Sequence, residues 1–221
     1  MKINNTKEIT QLEKFRIMVY GNSGVGKTQL IGTIPGKSLV LNCDKGMKTL
    51  SSLDIDYVSA NNWSEIMEFL NFMKKEDCLK TYEWIVFDSI SAMMDLLYLD
   101  LSETKKLAGF DLWREYSNFV NKFMRVLRDQ QNYHTLSICE AIDKEDDSGV
   151  ATKGFGVQGQ IGGRIPNFYD EVFALRIGKD NARMLQTASS SGWIAKDRSQ
   201  VLEKNEVADL GVVMAKILKG K

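Results

Sequence analysis

Gly21-Asn22-Ser23-Gly24-Val25-Gly26-Lys27-Thr28 is the stretch on which the reading of this chain turns. Its spacing fits G-x-x-x-x-G-K-[ST], the pattern of a phosphate-binding loop. The apolar run Phe15-Arg16-Ile17-Met18-Val19-Tyr20 leads in and reads as a buried strand. Gln29-Leu30-Ile31-Gly32-Thr33 leads out and reads as the first turns of a helix. Glycines let a backbone wrap close to a polyphosphate and aim several N–H groups at its oxygens. A helix N-terminus adds a favourable partial positive charge. Gly21 through Gln29 are therefore the expected nucleotide contacts. Within them, Lys27 reaches for the β- and γ-phosphates and the Thr28 hydroxyl for Mg²⁺.

Composition sets the outer bounds. A chain of 221 residues suggests one domain with a sizeable core, here a lead-in over 1–14 and the domain proper over 15–221. Hydrophobic residues make up 43% and charged residues 26%, ordinary values for a soluble globular protein. Basic and acidic residues balance at 29 each, so net charge neither favours nucleic acid nor excludes a local basic patch. Cys43, Cys78 and Cys139 are scattered, and the lone His134 completes no zinc set, which fits buried thiols in a reducing cytosol. The first residues are polar and unlike a signal peptide, and no apolar run reaches the roughly 18 residues of a membrane span. The expectation is a cytoplasmic protein without membrane contact.

Along the chain, Ser38 to Cys43 and Tyr57 to Ala60 read as strands. Trp63 to Asp77 reads as a helix with Ile66, Met67, Phe69, Leu70 and Met73 on its core side. Glu83 to Ser89 is a strand whose apolar run ends on Asp88, the second signature of a nucleotide-hydrolysing core. There a carboxylate sits beside the phosphate loop and helps to hold Mg²⁺. Ile90 to Leu101 and Leu112 to Gln131 read as helices, and Thr135 to Cys139 as a strand that stops at Glu140. Ala141 to Gly163 lacks periodicity and reads as a long functional loop. Its Gly154-Phe155-Gly156-Val157-Gln158-Gly159 spells G-x-G-x-x-G outside any βαβ context, so no dinucleotide site is expected. Glu171 to Ile177 and Met184 to Ala188 read as paired strands, and Glu206 to Leu218 as a final helix. The fold class that follows is α/β, with a mostly parallel central sheet flanked by helices and late antiparallel strands.

Spacing then separates the branches of phosphate-loop proteins. Asn121-Lys122-Phe123-Met124 is not the NKxD of a GTPase, one core is too few for a helicase, and no arginine-bearing lid marks a small-molecule kinase. From Phe15 to Leu218 the chain resembles the RecA-like ATPases, in particular phage single-domain members associated with single-strand annealing and recombination. The resemblance rests on Gly21 to Thr28, on Trp84-Ile85-Val86-Phe87-Asp88-Ser89-Ile90, and on Asn42-Cys43-Asp44-Lys45-Gly46 after the second strand.

The resemblance implies ATP with Mg²⁺, the metal held by Thr28 and Asp88. It places Asp44 where the family usually has a water-activating glutamate, and Glu140 where the family has a polar sensor of the γ-phosphate. Lys196 and Arg198 resemble paired cations that reach a neighbouring subunit's γ-phosphate, which implies a homo-oligomer, ring or filament. The segment after Glu140 corresponds in order to a DNA-binding loop. Lys153, Phe155 and Arg164 are its candidates for a cationic track and stacking ring on single-stranded DNA, and a phage single-stranded-DNA-binding protein is a further implied partner. Two alternatives stand beside this ATPase of phage recombination. One is a stand-alone NTPase switch for a protein partner. The other is a non-catalytic nucleotide-binding module, because Asp44 and Glu140 both depart from the family pattern.

Overall fold

The structure is a computed structural model that describes residues 14–145, 149–178 and 180–220. The expected lead-in lies almost wholly outside these residues. Ten strands form the sheet: β1 (Arg16–Gly21), β2 (Ser38–Asn42), β3 (Asp56–Ser59), β4 (Trp84–Asp88), β5 (His134–Glu145), β6 (Ala151–Phe155), β7 (Glu171–Ile177), β8 (Arg183–Gln186), β9 (Lys196–Asp197) and β10 (Asn205–Val207). Five α-helices accompany them: α1 (Trp63–Phe72), α2 (Glu76–Thr81), α3 (Ile90–Leu99), α4 (Gly109–Asp129) and α5 (Leu210–Lys219).

The main order is β10-β8-β7-β1-β5-β4-β2-β3. Every pairing from β7 across to β3 is parallel, and β8 and β10 close one edge antiparallel. This is the α/β architecture expected from the sequence. The central strands β1 and β4 are apolar along most of their length because both of their faces are covered. Side chains alternate between two cores. Met18, Tyr20, Ile85 and Phe87 pack with α1, α3 and α4 on one face. Ile17, Val19, Trp84 and Val86 pack with Leu30, Ile31 and α5 on the other.

Helix starts follow capping chemistry. Asn62 accepts from the Glu65 amide, Ser89 from the Ala92 amide, and Asp209 from the Val212 amide, at 3.0–3.1 Å. Because Ser89 follows Asp88 directly, the cap that starts α3 also fixes the end of β4. His134 stacks on Trp84 and accepts a hydrogen bond from the Phe15 amide at Nδ1, and burial pushes its pKa down to about 4. Its role is to close the foot of the sheet as a neutral ring.

Several expectations are corrected. The helix after the phosphate loop is a 3₁₀ segment, Thr28–Thr33, cut short by Ile34-Pro35. The helix expected from Trp63 to Asp77 ends at Phe72 and resumes as α2, and Met67 is 36% exposed where a core position was expected. The final helix starts at Leu210, so Val207 falls in β10 and faces solvent. The aperiodic stretch from Ala141 to Gly163 is structured. β5 runs on to Glu145 and pairs antiparallel with β6, from Ala141↔Phe155 to Glu145↔Ala151, and a 3₁₀ segment covers Gln160–Phe168. Acidic side chains on the exposed part of this ribbon hid its strand period.

Phe155, a candidate stacking ring for single-stranded DNA, is 1% exposed and packs on Tyr20 with ring centroids 4.5 Å apart. Its ring belongs to the core because the ribbon folds back over β1. Phe155→Ala is therefore expected to cost about 3–5 kcal/mol of stability, read by chemical denaturation. An unchanged midpoint would return the ring to the surface.

Candidate active site

Register brings the functional strand ends abreast. β5 lies between β1 and β4, with Gly21 opposite Glu140 and Asp88 opposite Ile138. On the other side of β4, Asn42 stands opposite Asp88. The carboxyl ends of β1, β5, β4 and β2 thus share one edge, the place where parallel α/β sheets bind ligands. The backbone tightens this arrangement. The Asp88 carbonyl accepts from the Cys43 amide at 2.6 Å and the Asp44 amide at 3.3 Å, which holds the turn after β2 against the end of β4.

The phosphate loop takes the shape its glycines allow. Gly24 and Gly26 have φ of 75° and 98°, a region that side-chain-bearing residues avoid. Lys27 Nζ lies inside the loop and donates to the carbonyls of Gly21 and Asn22, each at 2.9 Å. Burial holds this ammonium below the ordinary lysine pKa, while Glu140, Asp44 and Asp88 act in the opposite sense. The Thr28 hydroxyl donates to Asp88 Oδ2 at 2.8 Å. Asp88 is 1% exposed, and burial pushes its carboxyl up to about 6, with the Thr28 bond opposing and Asp44 adding to the rise.

These groups line one cavity of about 270 Å³, bordered by Gly26, Lys27, Thr28, Asp44, Asp88 and Arg183. A hydroxyl and a buried carboxylate in contact, with a second carboxylate on the rim, form an all-oxygen donor set. That set suits Mg²⁺, which takes one or two carboxylates and keeps waters and phosphate oxygens as its other ligands. The glycine-shaped loop beside it suits the polyphosphate. Asn22 and Ser23 are exposed on the loop and Gln29 is the second residue of the 3₁₀ segment, while Gly21 and Val25 are buried beneath them.

The structure does not bring Lys196 and Arg198 to this cavity. β9 pairs with the start of β7, at Val172↔Lys196 and Glu171↔Asp197, and Glu171 in turn stands beside Ile17 near the start of β1. The segment is at the opposite end of the sheet from Gly21. There Lys196 Nζ donates to the carbonyls of Pro166 and Tyr169. Arg198 Nη1 pairs with Asp170 Oδ1 at 2.8 Å, and Arg16 takes the other oxygen of Asp170. Lys153 pairs with Asp143 on the β5–β6 ribbon and lies over the Trp193 ring. Arg164 is exposed and borders a groove with Lys122, Arg125 and Asn118 on the outer side of α4. Sequence reasoning missed Arg183, at the foot of the β7–β8 hairpin. Only the pairing of β7 beside β1 puts it next to the loop, and no local pattern carries that information.

A parallel sheet with a phosphate loop at the end of its central strand, and a buried aspartate facing the loop's threonine, defines a P-loop nucleotide-binding domain. Residues 13–199 match the family model described as AAA domain, and the chain belongs to that family of nucleotide-binding ATPases. The search of curated proteins returned no match. Among the described residues, no helix is long and apolar enough to cross a membrane.

Glu171 gives this end of the sheet a pH signature. It is 3% exposed, and burial, aided by Asp197 as neighbour and hydrogen-bond partner, pushes its carboxyl up to about 8. Asp197 is held below its ordinary value, as burial is outweighed by donors from Ser199, Leu202, Gln200 and Glu171. The folded state therefore keeps a proton on Glu171 that the unfolded chain releases above its ordinary value of 4.5. Stability from this group is complete below that pH and is lost as pH rises toward 8. Glu171→Gln should make stability between pH 5 and 8 flatter by about 1–3 kcal/mol, measured by urea denaturation at both pH values. A parent curve already flat across that range would show that Glu171 ionises freely.

Proposed function

We propose that the chain hydrolyses ATP with Mg²⁺ as an assembling ATPase that acts on single-stranded DNA. The observation that carries the hydrolytic part is the convergence of Lys27, Thr28, Asp88 and Asp44 on one cavity. Thr28 and Asp88 would hold the ion, which when bound neutralises charge on the phosphate oxygens. Lys27 exchanges its two carbonyl partners for the outer phosphates. Asp44, on the cavity rim, orients the attacking water and accepts its proton, and Glu140 stands beside Gly21 to order solvent near the outer phosphate.

Two placements support assembly and the DNA partner. Lys196 and Arg198 lie too far along the sheet to serve their own chain's nucleotide, as residues that act on a neighbour's must. The groove along α4 carries Lys122, Arg125 and Arg164 against one acid, Asp129, which pairs with Arg128. Through Asn118 it adjoins a second hollow bordered by the exposed Phe110 and by Trp113. Cations followed by open aromatic rings are what a single strand needs, since charge tracks its backbone and rings stack its bases.

Phosphate release with and without single-stranded DNA tests this reading. Lys27→Ala should lower the rate by about 100-fold or more. Arg198→Ala alone should lower it by about tenfold or more. Mixing the two variants should restore part of the activity, because some interfaces then carry both intact halves. Full activity in Arg198→Ala, or no recovery on mixing, would rule out a shared site. A parent rate that DNA leaves unchanged would remove the DNA partner and favour the protein switch.

A further inference from the structure

Among the described residues, Lys27 and Arg183 are the cations that border the nucleotide cavity, against the carboxylates of Asp44 and Asp88. Glu140 adds a third negative group close to Lys27. A Mg²⁺-bound triphosphate is still anionic, so Lys27 alone would face three carboxylates and the ligand together. A second positive group is required in this chain, and the only segment proposed so far to supply one lies at the far end of the sheet.

Arg183 is built into the loop from outside it. It opens β8, stands opposite Ile177 of β7, and β7 runs beside β1. Its Nε donates to the Val25 carbonyl at 2.9 Å. A Cβ on Gly26 would lie 2.6 Å from that Nε and 3.0 Å from the guanidinium carbon, so the fork rests directly on the glycine's backbone. Two consequences follow. Gly26 is held to glycine by its positive φ, and the guanidinium takes up the space that a side chain there would use. And the fork spends only Nε on protein: among the described residues its two terminal nitrogens have no hydrogen-bond or ion-pair partner, and the residue borders the cavity.

We infer that Arg183 is a nucleotide-binding residue, which grips the α- and β-phosphates in cis with its two terminal nitrogens while Nε stays anchored on Val25. A planar guanidinium matches two phosphate oxygens at once, and such charge-assisted pairs are stronger than neutral hydrogen bonds. The assignment to the inner phosphates follows from position. Arg183 lies over Gly26, whose amended space it shares with the Gln29 side chain at the loop's exit. Lys27, on the inside, takes the outer phosphates. Arg183 therefore contributes to holding ADP and ATP alike, and little to the difference between ground and transition states.

The inference rests on the cavity being the nucleotide site, and the experiment separates the two. Binding of ADP and of a non-hydrolysable ATP analogue is measured by titration calorimetry for the parent, Lys27→Ala, Arg183→Ala, Arg183→Lys and Arg183→Gln, with thermal melting to confirm folding. Arg183→Ala and Arg183→Gln should each weaken both nucleotides about tenfold, and Arg183→Lys, which keeps the charge but loses the two-nitrogen fork, should recover only part of the loss. In steady state KM should rise with kcat within about twofold. Recovery by glutamine, which can still donate to Val25 without charge, would reduce Arg183 to a brace for the loop and overturn the inference. So would a fall in kcat at unchanged KM, or affinities unaltered by every Arg183 variant. If the parent binds neither nucleotide, the reading of the cavity fails and takes this inference with it. If Lys27→Ala weakens binding and the Arg183 variants do not, the cavity reading stands and this inference alone is lost.

Discussion

The hydrogen bond from the Thr28 hydroxyl to Asp88, 2.8 Å long and closed off from solvent on the aspartate's side, ties together the parts of the molecule that matter. A carboxylate this deeply buried is costly unless something donates to it. Thr28 does so from the end of the phosphate loop. The main chain of the same aspartate holds the turn after β2 through Cys43 and Asp44, and the next residue, Ser89, caps α3. Three separate stretches of sequence thus meet at Asp88. Their order across the sheet, with β5 inserted between β1 and β4, puts Glu140 between the loop and the aspartate.

The charges gathered there do not balance well for a protein on its own. Lys27 is drawn into the loop and bonded to two backbone carbonyls, which is how a buried ammonium is satisfied when no anion is present. Asp88 keeps a raised pKa because a single hydroxyl bond does not make up for its burial. Asp44 and Arg183 both border the cavity and are exposed. Such an arrangement is stabilised by a ligand that brings anionic oxygens for the cations and a divalent ion for the carboxylates.

What could be read from the sequence was whatever depends on local backbone need. The phosphate loop was legible because glycines at Gly24 and Gly26 answer a positive φ, and the apolar runs of β1, β4 and β7 because both faces of a parallel sheet are covered. The β5–β6 ribbon was not legible. Its strands extend beyond the sheet, one side meets solvent, and acidic residues there broke the apolar signal while Phe155 turned inward. The helix after the loop looked ordinary in sequence, yet Thr33 is used elsewhere: it accepts from the Leu210 amide and so joins the loop's exit to the start of α5. Arg183 and the position of Lys196 and Arg198 depend on which strands lie next to β7, and that is a property of the whole sheet.

The opposite placement of the phosphate loop and the Lys196–Arg198 segment constrains how copies could share a site. Gly21 lies four residues beyond Ile17, the partner of Glu171, so the two regions are separated by about 13 Å of extended strand. If one copy's segment meets the next copy's loop, the two surfaces in contact are different patches of the molecule. Such a contact closes as a two-fold pair only if both segments reach both loops at once; otherwise it is heterologous. In the heterologous case each copy would still offer a free loop at one end and a free segment at the other, so association would continue until rotation closes a ring or a filament grows. Arg198 is well suited to such use because, among the described residues, its side chain pairs only with Asp170, which keeps Arg16 when Arg198 swings away. Lys196 is less free: its ammonium joins the carbonyls of Pro166 and Tyr169, and releasing it would take that donor from Tyr169 and leave Pro166 with the Tyr169 amide. In a shared site, Arg198 would therefore be the group that reaches across, with Lys196 remaining behind to hold the segment in place.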